Sequence, residues 1–180
     1  IYQGIRNAND FMAAVSNTDF DEDGALCAEA RFLRAYYHFI LAQAWGDVPL
    51  RKQAVTTHDK VMIAVTPQYD VLAWVAAEME DCVALASESV EDTPSRIAKT
   101  TVQGILARVY LFMAGESVNG GDKLELLANA ARHADAVIKS GKHQLNPDYS
   151  QVFKNMIMDQ YDTQYHESMW EVDFLGDRSS

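Results

Sequence analysis

The chain has 180 residues, 48% of them hydrophobic, which suffices for one compact domain with a real core and is too small for two. Its 15 basic and 26 acidic residues give a formal charge of −11, so the average surface repels phosphate backbones and anionic headgroups, and nucleic acid is not an expected partner. No apolar run approaches the roughly 20 residues of a membrane-spanning helix, and no charged-then-apolar leader opens the chain.

Apolar residues at Ile1, Ile5, Ala8, Met12 and Val15 recur at three- and four-residue steps and predict a first amphipathic helix, with Asn7 and Asn9 off its stripe. From Ala25 to Trp45 there is neither Gly nor Pro, which predicts a long helix, and its mostly apolar circumference makes it an inner one. Arg31, Arg34 and His38 share a narrow stripe on it; the two arginines could hold an anionic ligand, but a carboxylate from Glu29, Glu78 or Glu171 is their expected partner. Gly46 and Pro49 end this helix, and Leu50 to Val65 reads as an irregular crossing. Thr66-Pro67 reads as an N-cap and first-turn proline, opening a third helix through Leu85 whose Glu78, Glu80 and Asp81 crowd its outer surface.

A fourth helix is predicted over Ile97 to Ala114, and a fifth over Asp122 to Ser140, closed by Gly141, with Leu126, Leu127, Ala130, Ala134, Val137 and Ile138 inward. Met169 to Phe174 alternates apolar and acidic residues, which predicts a short terminal strand that pairs either with the Leu50 to Val65 region or with chain beyond Ser180. Small residues at Gly104, Ala107, Ala131 and Ala134 suit closely facing helices, so the expected fold is all-α, stacked helical hairpins of tetratricopeptide-like type over one domain, 1–180. Both ends look trimmed from something longer.

Asp19, Asp21 and Asp23 with Gly24 match the first half of an EF-hand calcium loop. The second half fails, because the twelfth position is Ala30 rather than a bidentate Glu; the favoured reading is an acidic linker serving the next helix, with calcium as the alternative. The histidines at 38, 58, 133, 143 and 166 never pair at helical spacing, and Cys27 and Cys82 stand alone in apolar patterns, so no metal centre is expected. No nucleophile elbow, phosphate loop or isolated carboxylate pair is present; the expectation is no catalytic residue and no cofactor. Tyr36, Tyr37, Trp45, Trp74 and Trp170 have flat faces suited to sugar rings, but core packing is the expected role of Tyr36, Tyr37 and Trp170, and it accounts for Trp74 as well.

Three blocks carry a family resemblance. Ala30 to Phe39 (Ala-Arg-Phe-Leu-Arg-Ala-Tyr-Tyr-His-Phe) with Trp45 to Leu50 is the first; Lys99 to Gly115, containing Ala107-Arg108-Val109-Tyr110-Leu111, is the second; Tyr149 to Phe153 with Glu167 to Phe174 is the third. Together they resemble the SusD/RagB family. The resemblance implies a cell-surface lipoprotein of the outer membrane that captures glycans or peptides without catalysis and partners a SusC-like TonB-dependent transporter. Family members are usually longer, with a lipidated cysteine upstream and a loop-rich half downstream, so this chain is expected to be the helical, transporter-facing scaffold, with the oligosaccharide or peptide ligand held through parts mostly outside it. No ligand contact is transferred to any residue. The alternative is a free-standing helical-repeat adaptor that binds a protein segment, with a helical glycosidase fragment ranking below both.

Overall fold

The computed structural model describes residues 1–16, 18–21, 24–55, 62–88 and 94–172. Among them lie α1 (Tyr2–Val15), α2 (Ala25–Trp45), β1 (Val48–Pro49), β2 (Val65–Thr66), α3 (Gln68–Leu85), α4 (Lys99–Met113), α5 (Lys123–Ser140) and α6 (Tyr149–Ile157). Each of the first five helices packs on its chain neighbours, α1 on α2 and so on to α5, as the stacked-hairpin reading expects.

Helix α2 is the inner element. Gly24, with φ of 71°, precedes it, and Asp21 accepts hydrogen bonds from the N–H groups of Leu26 and Cys27, satisfying donors that a helix start leaves open. Gly46 closes it with φ of 73°. Its buried residues form two stripes, one of Ala28, Phe32, Ala35, Phe39 and Ala42 and one of Arg34, His38 and Leu41, roughly 110° apart at 100° per residue, so it needs neighbours on more than one side. On α1 the buried set is Ile5, Ala8 and, against expectation, Asn9, which turns inward because α2 offers it a hydrogen-bond partner.

The crossing after α2 is tied at its ends by an antiparallel pair, Val48 opposite Thr66 and Pro49 opposite Val65. Thr66 therefore belongs to a strand and does not cap α3. Pro67 takes the cap position, and Asp47 reaches across from the other strand's approach to accept from Gln68 N–H at 2.8 Å. Glu78 and Glu80 are not on an outer surface: they face the seams with α2 and with α4 and α5, while Asp81 stays largely exposed.

Asp122 caps α5 by accepting from Leu124 and Glu125 N–H, and Gly141 ends it in the left-handed region. Only Leu126, Ala130 and His133 are buried on α5; Ile138 is 75% exposed, and Leu127, Ala131 and Ala134 are exposed as well. Periodicity found the centre of the face, but α5 has α4 as its main helical neighbour, so a narrower stripe is covered than the pattern implied. Gly104 is closely approached, but by the Met169 side chain of the C-terminal stretch rather than by a facing helix: a Cβ there would lie 2.9 Å from Met169 Cε.

The expected terminal strand is not formed over the described residues 169–172, and residues 173–174 lie outside them. Nor does this stretch pair with the crossing, whose Val65 is already paired. Instead Thr101 donates to Met169 O, Glu171 N–H donates to Pro94 O, and Trp170 packs edge-on against Phe32 and Tyr36. Helix α6 was not foreseen as a helix. It buries none of its residues and sits on an excursion whose neck is closed by Gln144 N–H to Tyr165 O and Asn146 N–H to a Glu167 carboxylate oxygen.

Candidate functional site

The densest polar cluster lies where α1, α2, the crossing and α3 meet. Arg31 grips both carboxylate oxygens of Glu78, at 2.9 and 3.0 Å, and Arg34 donates to the same carboxylate. Of the three carboxylates expected to serve these arginines, Glu78 is the one used; Glu29 instead holds Arg96. Burial opposes ionisation of Glu78, yet the two guanidiniums outweigh it and hold its carboxyl below the usual range. Arg34 also donates to Asn9 Oδ1 at 2.8 Å and to Lys52 O.

His38 completes this cluster and is fully buried. Its Nδ1 lies 2.9 Å from Arg34 O, which can only accept, so Nδ1 carries the proton; Nε2 is then free to accept from Arg51 N–H at 3.2 Å. Burial pushes the imidazole down to about 4. Tyr2 donates to Pro49 O and Asn9 to Arg51 O. The backbone of residues 49–52 is thus fastened by Tyr2, Asn9, Arg34 and His38. Trp74 closes the cluster, with Arg34 Cζ 5.3 Å and Lys52 Nζ 5.7 Å from its ring centroid and His38 edge-on at 5.1 Å.

A second node joins α3, α4 and α5. One oxygen of Glu80 accepts from Tyr110 Oη at 3.0 Å, Arg132 at 2.7 Å and His133 Nε2 at 2.8 Å. Burial opposes ionisation of Glu80, but these bonds outweigh it and its carboxyl stays below the usual range. Apart from Arg34 Nε and His133 Nδ1, which are buried without a hydrogen-bond partner, the polar groups described in both nodes bond within the fold, which suits the nodes to holding helices in register.

Tyr36, Tyr37 and Trp170 pack against the core, as expected of them, and so does Trp74. Trp45, in contrast, is 66% exposed at the end of α2. Of the calcium candidates, Asp21 spends both oxygens on the start of α2, Asp19 sits in the preceding 3-10 turn, and Asp23 lies outside the described residues, as does His58. Cys27 and Cys82 are free thiols, and burial pushes both up, to about 11 and about 12, the reverse of an activated nucleophile.

Sequence reasoning passed over one surface. Phe39 is buried between Tyr36, at 6.4 Å, and Phe112, edge-on at 5.9 Å, and Tyr36 meets Trp170 at 5.0 Å. Arg108 lies exposed over Phe39, its Cζ 5.9 Å from the ring centroid. The clue in the sequence was the helical alignment of Arg108 with Phe112, which alone does not reveal that α2 supplies the rest.

Comparison with known proteins places this arrangement. The SusD-like family, described as starch-binding and associating with the outer membrane, matches residues 1–111. The SusD-like protein P2 of Formosa agariphila is 26% identical over 185 aligned residues, covering 99% of this chain and 34% of that protein. A SusD homologue of Bacteroides thetaiotaomicron superposes with a TM-score of 0.79 at 27% identity, covering 90% of this chain and 32% of that one. A protein crystallised with a xylogluco-oligosaccharide superposes with a TM-score of 0.81 at 25% identity, covering 97% of this chain and 34% of that one. This chain spans about a third of the length of these relatives. Because the family match takes in α2, the fastened segment after it and most of α4, the chain belongs to the SusD-like family.

Proposed function

We propose that this chain is the helical scaffold and transporter-facing part of a non-catalytic nutrient-capture protein at the outer membrane, which passes an oligosaccharide to a SusC-like TonB-dependent transporter. One observation carries the reading: almost the whole chain shares its fold, at 25% identity, with a protein crystallised holding a xylogluco-oligosaccharide. The family's description as starch-binding points the same way and favours a glycan over a peptide. Residues 1–180 act as one helical-repeat unit, whose arginine and carboxylate nodes keep the helices rigid so that a broad face can be presented to a partner. No bond is made or broken in this role.

The test has two arms. Isothermal titration of the product of the whole gene with starch-, xyloglucan- and laminarin-derived oligosaccharides is expected to give saturable binding with no release of reducing sugar. Affinity capture from detergent-extracted outer membranes is expected to recover a TonB-dependent transporter. Release of reducing ends by the purified chain, or no saccharide binding together with no recovered transporter, defeats the proposal.

A further inference from the structure

The connection between α4 and α5 carries Asn119-Gly120, the one place in the sequence where glycine follows an asparagine. Both residues are exposed and lie outside the helices. Among the described residues, neither the Asn119 side-chain amide nor the Gly120 N–H has a hydrogen-bond partner. The other described asparagines are shielded. Asn7, Asn129 and Asn155 lie in helices, where the next N–H is held by a carbonyl one turn back, and their side-chain oxygens accept hydrogen bonds. Asn9 is buried, and Asn146 precedes Pro147, which has no N–H. Gly120 itself is imposed by the fold: its φ is 146°, and a Cβ there would lie 2.5 Å from the Tyr69 ring. The nitrogen next to Asn119 therefore has no side chain beside it to hinder attack.

We propose that Asn119-Gly120 is a self-modification site that the native fold leaves open. The Gly120 nitrogen gives its proton to solvent base and bonds to Asn119 Cγ; the bond from Cγ to the side-chain nitrogen breaks, ammonia leaves and a succinimide ring remains. Water then opens the ring at either carbonyl, so nothing is oxidised or reduced. Opening between the ring nitrogen and Cγ gives aspartate at position 119. Opening between that nitrogen and the main-chain carbonyl carbon gives isoaspartate, whose main chain is one atom longer. Either product adds one negative charge to a chain already at −11. The extra main-chain atom of isoaspartate falls directly before Gly120 and Gly121, where a Cβ on either would lie 2.5 Å from Tyr69. No slack is present at that contact, so isoaspartate pushes Tyr69 off its packing against the core.

The test incubates the product of the whole gene at mildly alkaline pH, folded and in urea, and follows each asparagine by peptide mass spectrometry. In the folded protein the peptide spanning Asn119 is expected to gain the mass of an amide turned acid at a rate within about threefold of that in urea, since an open loop needs no unfolding first. That rate is expected to rise with pH, while the other described asparagines convert far more slowly folded than unfolded. Asn119→Gln, whose longer side chain closes the ring much less readily, is expected to abolish the gain. The isoaspartate fraction, separated by chromatography, is expected to unfold about 1–3 °C below the natural protein. Asn119→Asp, which adds the charge without the extra atom, is expected to leave Tm unchanged. A folded rate far below the rate in urea would overturn the inference, because the fold would then shield the site. So would an equal mass gain in Asn119→Gln, or an isoaspartate fraction as stable as Asn119→Asp.

Discussion

His38 makes stability depend on pH in a window that the carboxylates barely touch. Its folded value of about 4 lies below its ordinary 6.5, so the unfolded chain binds the proton more readily and acid favours unfolding. The stabilisation is complete above 6.5 and is lost as pH falls towards 4. Linkage gives a loss of about 1 kcal/mol between about pH 7 and pH 5.5, and about 2 kcal/mol by pH 4.5. Glu78 and Glu80 act in the same direction, but their lowered values place their losses mainly below the ordinary carboxylate range. Urea unfolding of the natural chain and of His38→Phe, followed by tryptophan fluorescence at those pH values, measures the difference. The variant is expected to be less stable at neutral pH, because Arg51 N–H and Arg34 O lose their partner, and to show a shallower pH slope by the amounts above. Parallel slopes between pH 7 and pH 5.5 would refute the lowering of the His38 imidazole by burial.

Three further outcomes follow from particular contacts. Glu78→Leu strands Arg34, whose side chain is 9% exposed, and is expected to cost about 3–5 kcal/mol in urea unfolding, with Arg34→Met in the same chain recovering much of it. Gly120→Ala would place a Cβ 2.5 Å from the Tyr69 ring at a φ of 146°, so a loss of about 1–3 kcal/mol is expected in the same assay. Ile157→Ser, at a side chain 85% exposed on α6, is expected to change stability by less than about 0.5 kcal/mol; a larger loss would mean that α6 is packed in solution.

The parts of the fold that were legible in the sequence are those fixed locally. The ends of α2 follow from Gly24, Gly46 and Pro49, and those of α5 from Asp122 and Gly141, all acting within a few residues of the boundary. What was not legible depends on partners distant in the chain. Asn9 looks like a surface residue until Arg34 is placed beside it, and Glu78 looks like one until two arginines of α2 face it. Thr66 has the chemistry of a cap, but pairing with Val48 draws it into a strand, and Asp47 takes over its task. The alternation from Met169 onwards has the period of a strand, but Trp170 is drawn into the aromatic seam and Glu171 N–H is spent on Pro94 O, while Val172 is 69% exposed, so distant contacts rather than a ladder place this stretch. The arginine and histidine stripe on α2 was visible, and a carboxylate partner was expected for its arginines; which of Glu29, Glu78 and Glu171 serves them was not visible, since that is decided by the packing and by the valences each partner leaves open.

Those valences separate scaffold from site. Arg31, Arg34, Asn9 and His38 are occupied by Glu78, Asp81 and the backbone of residues 34 and 51–52, and within this cluster Arg34 Nε is the buried side-chain nitrogen without a partner. A ligand could reach this cluster only by displacing the segment that it fastens, at the cost of several charge-assisted bonds. Most residues that carry the resemblance in the first block are therefore spent on building the platform. They specify how the helices stack and say little about what is bound. In the proposed capture role, choice of ligand then has to rest on groups with open faces, such as Trp45, or on chain outside the matched third, and exchanging one sugar for another would leave the Glu78 and Glu80 nodes untouched.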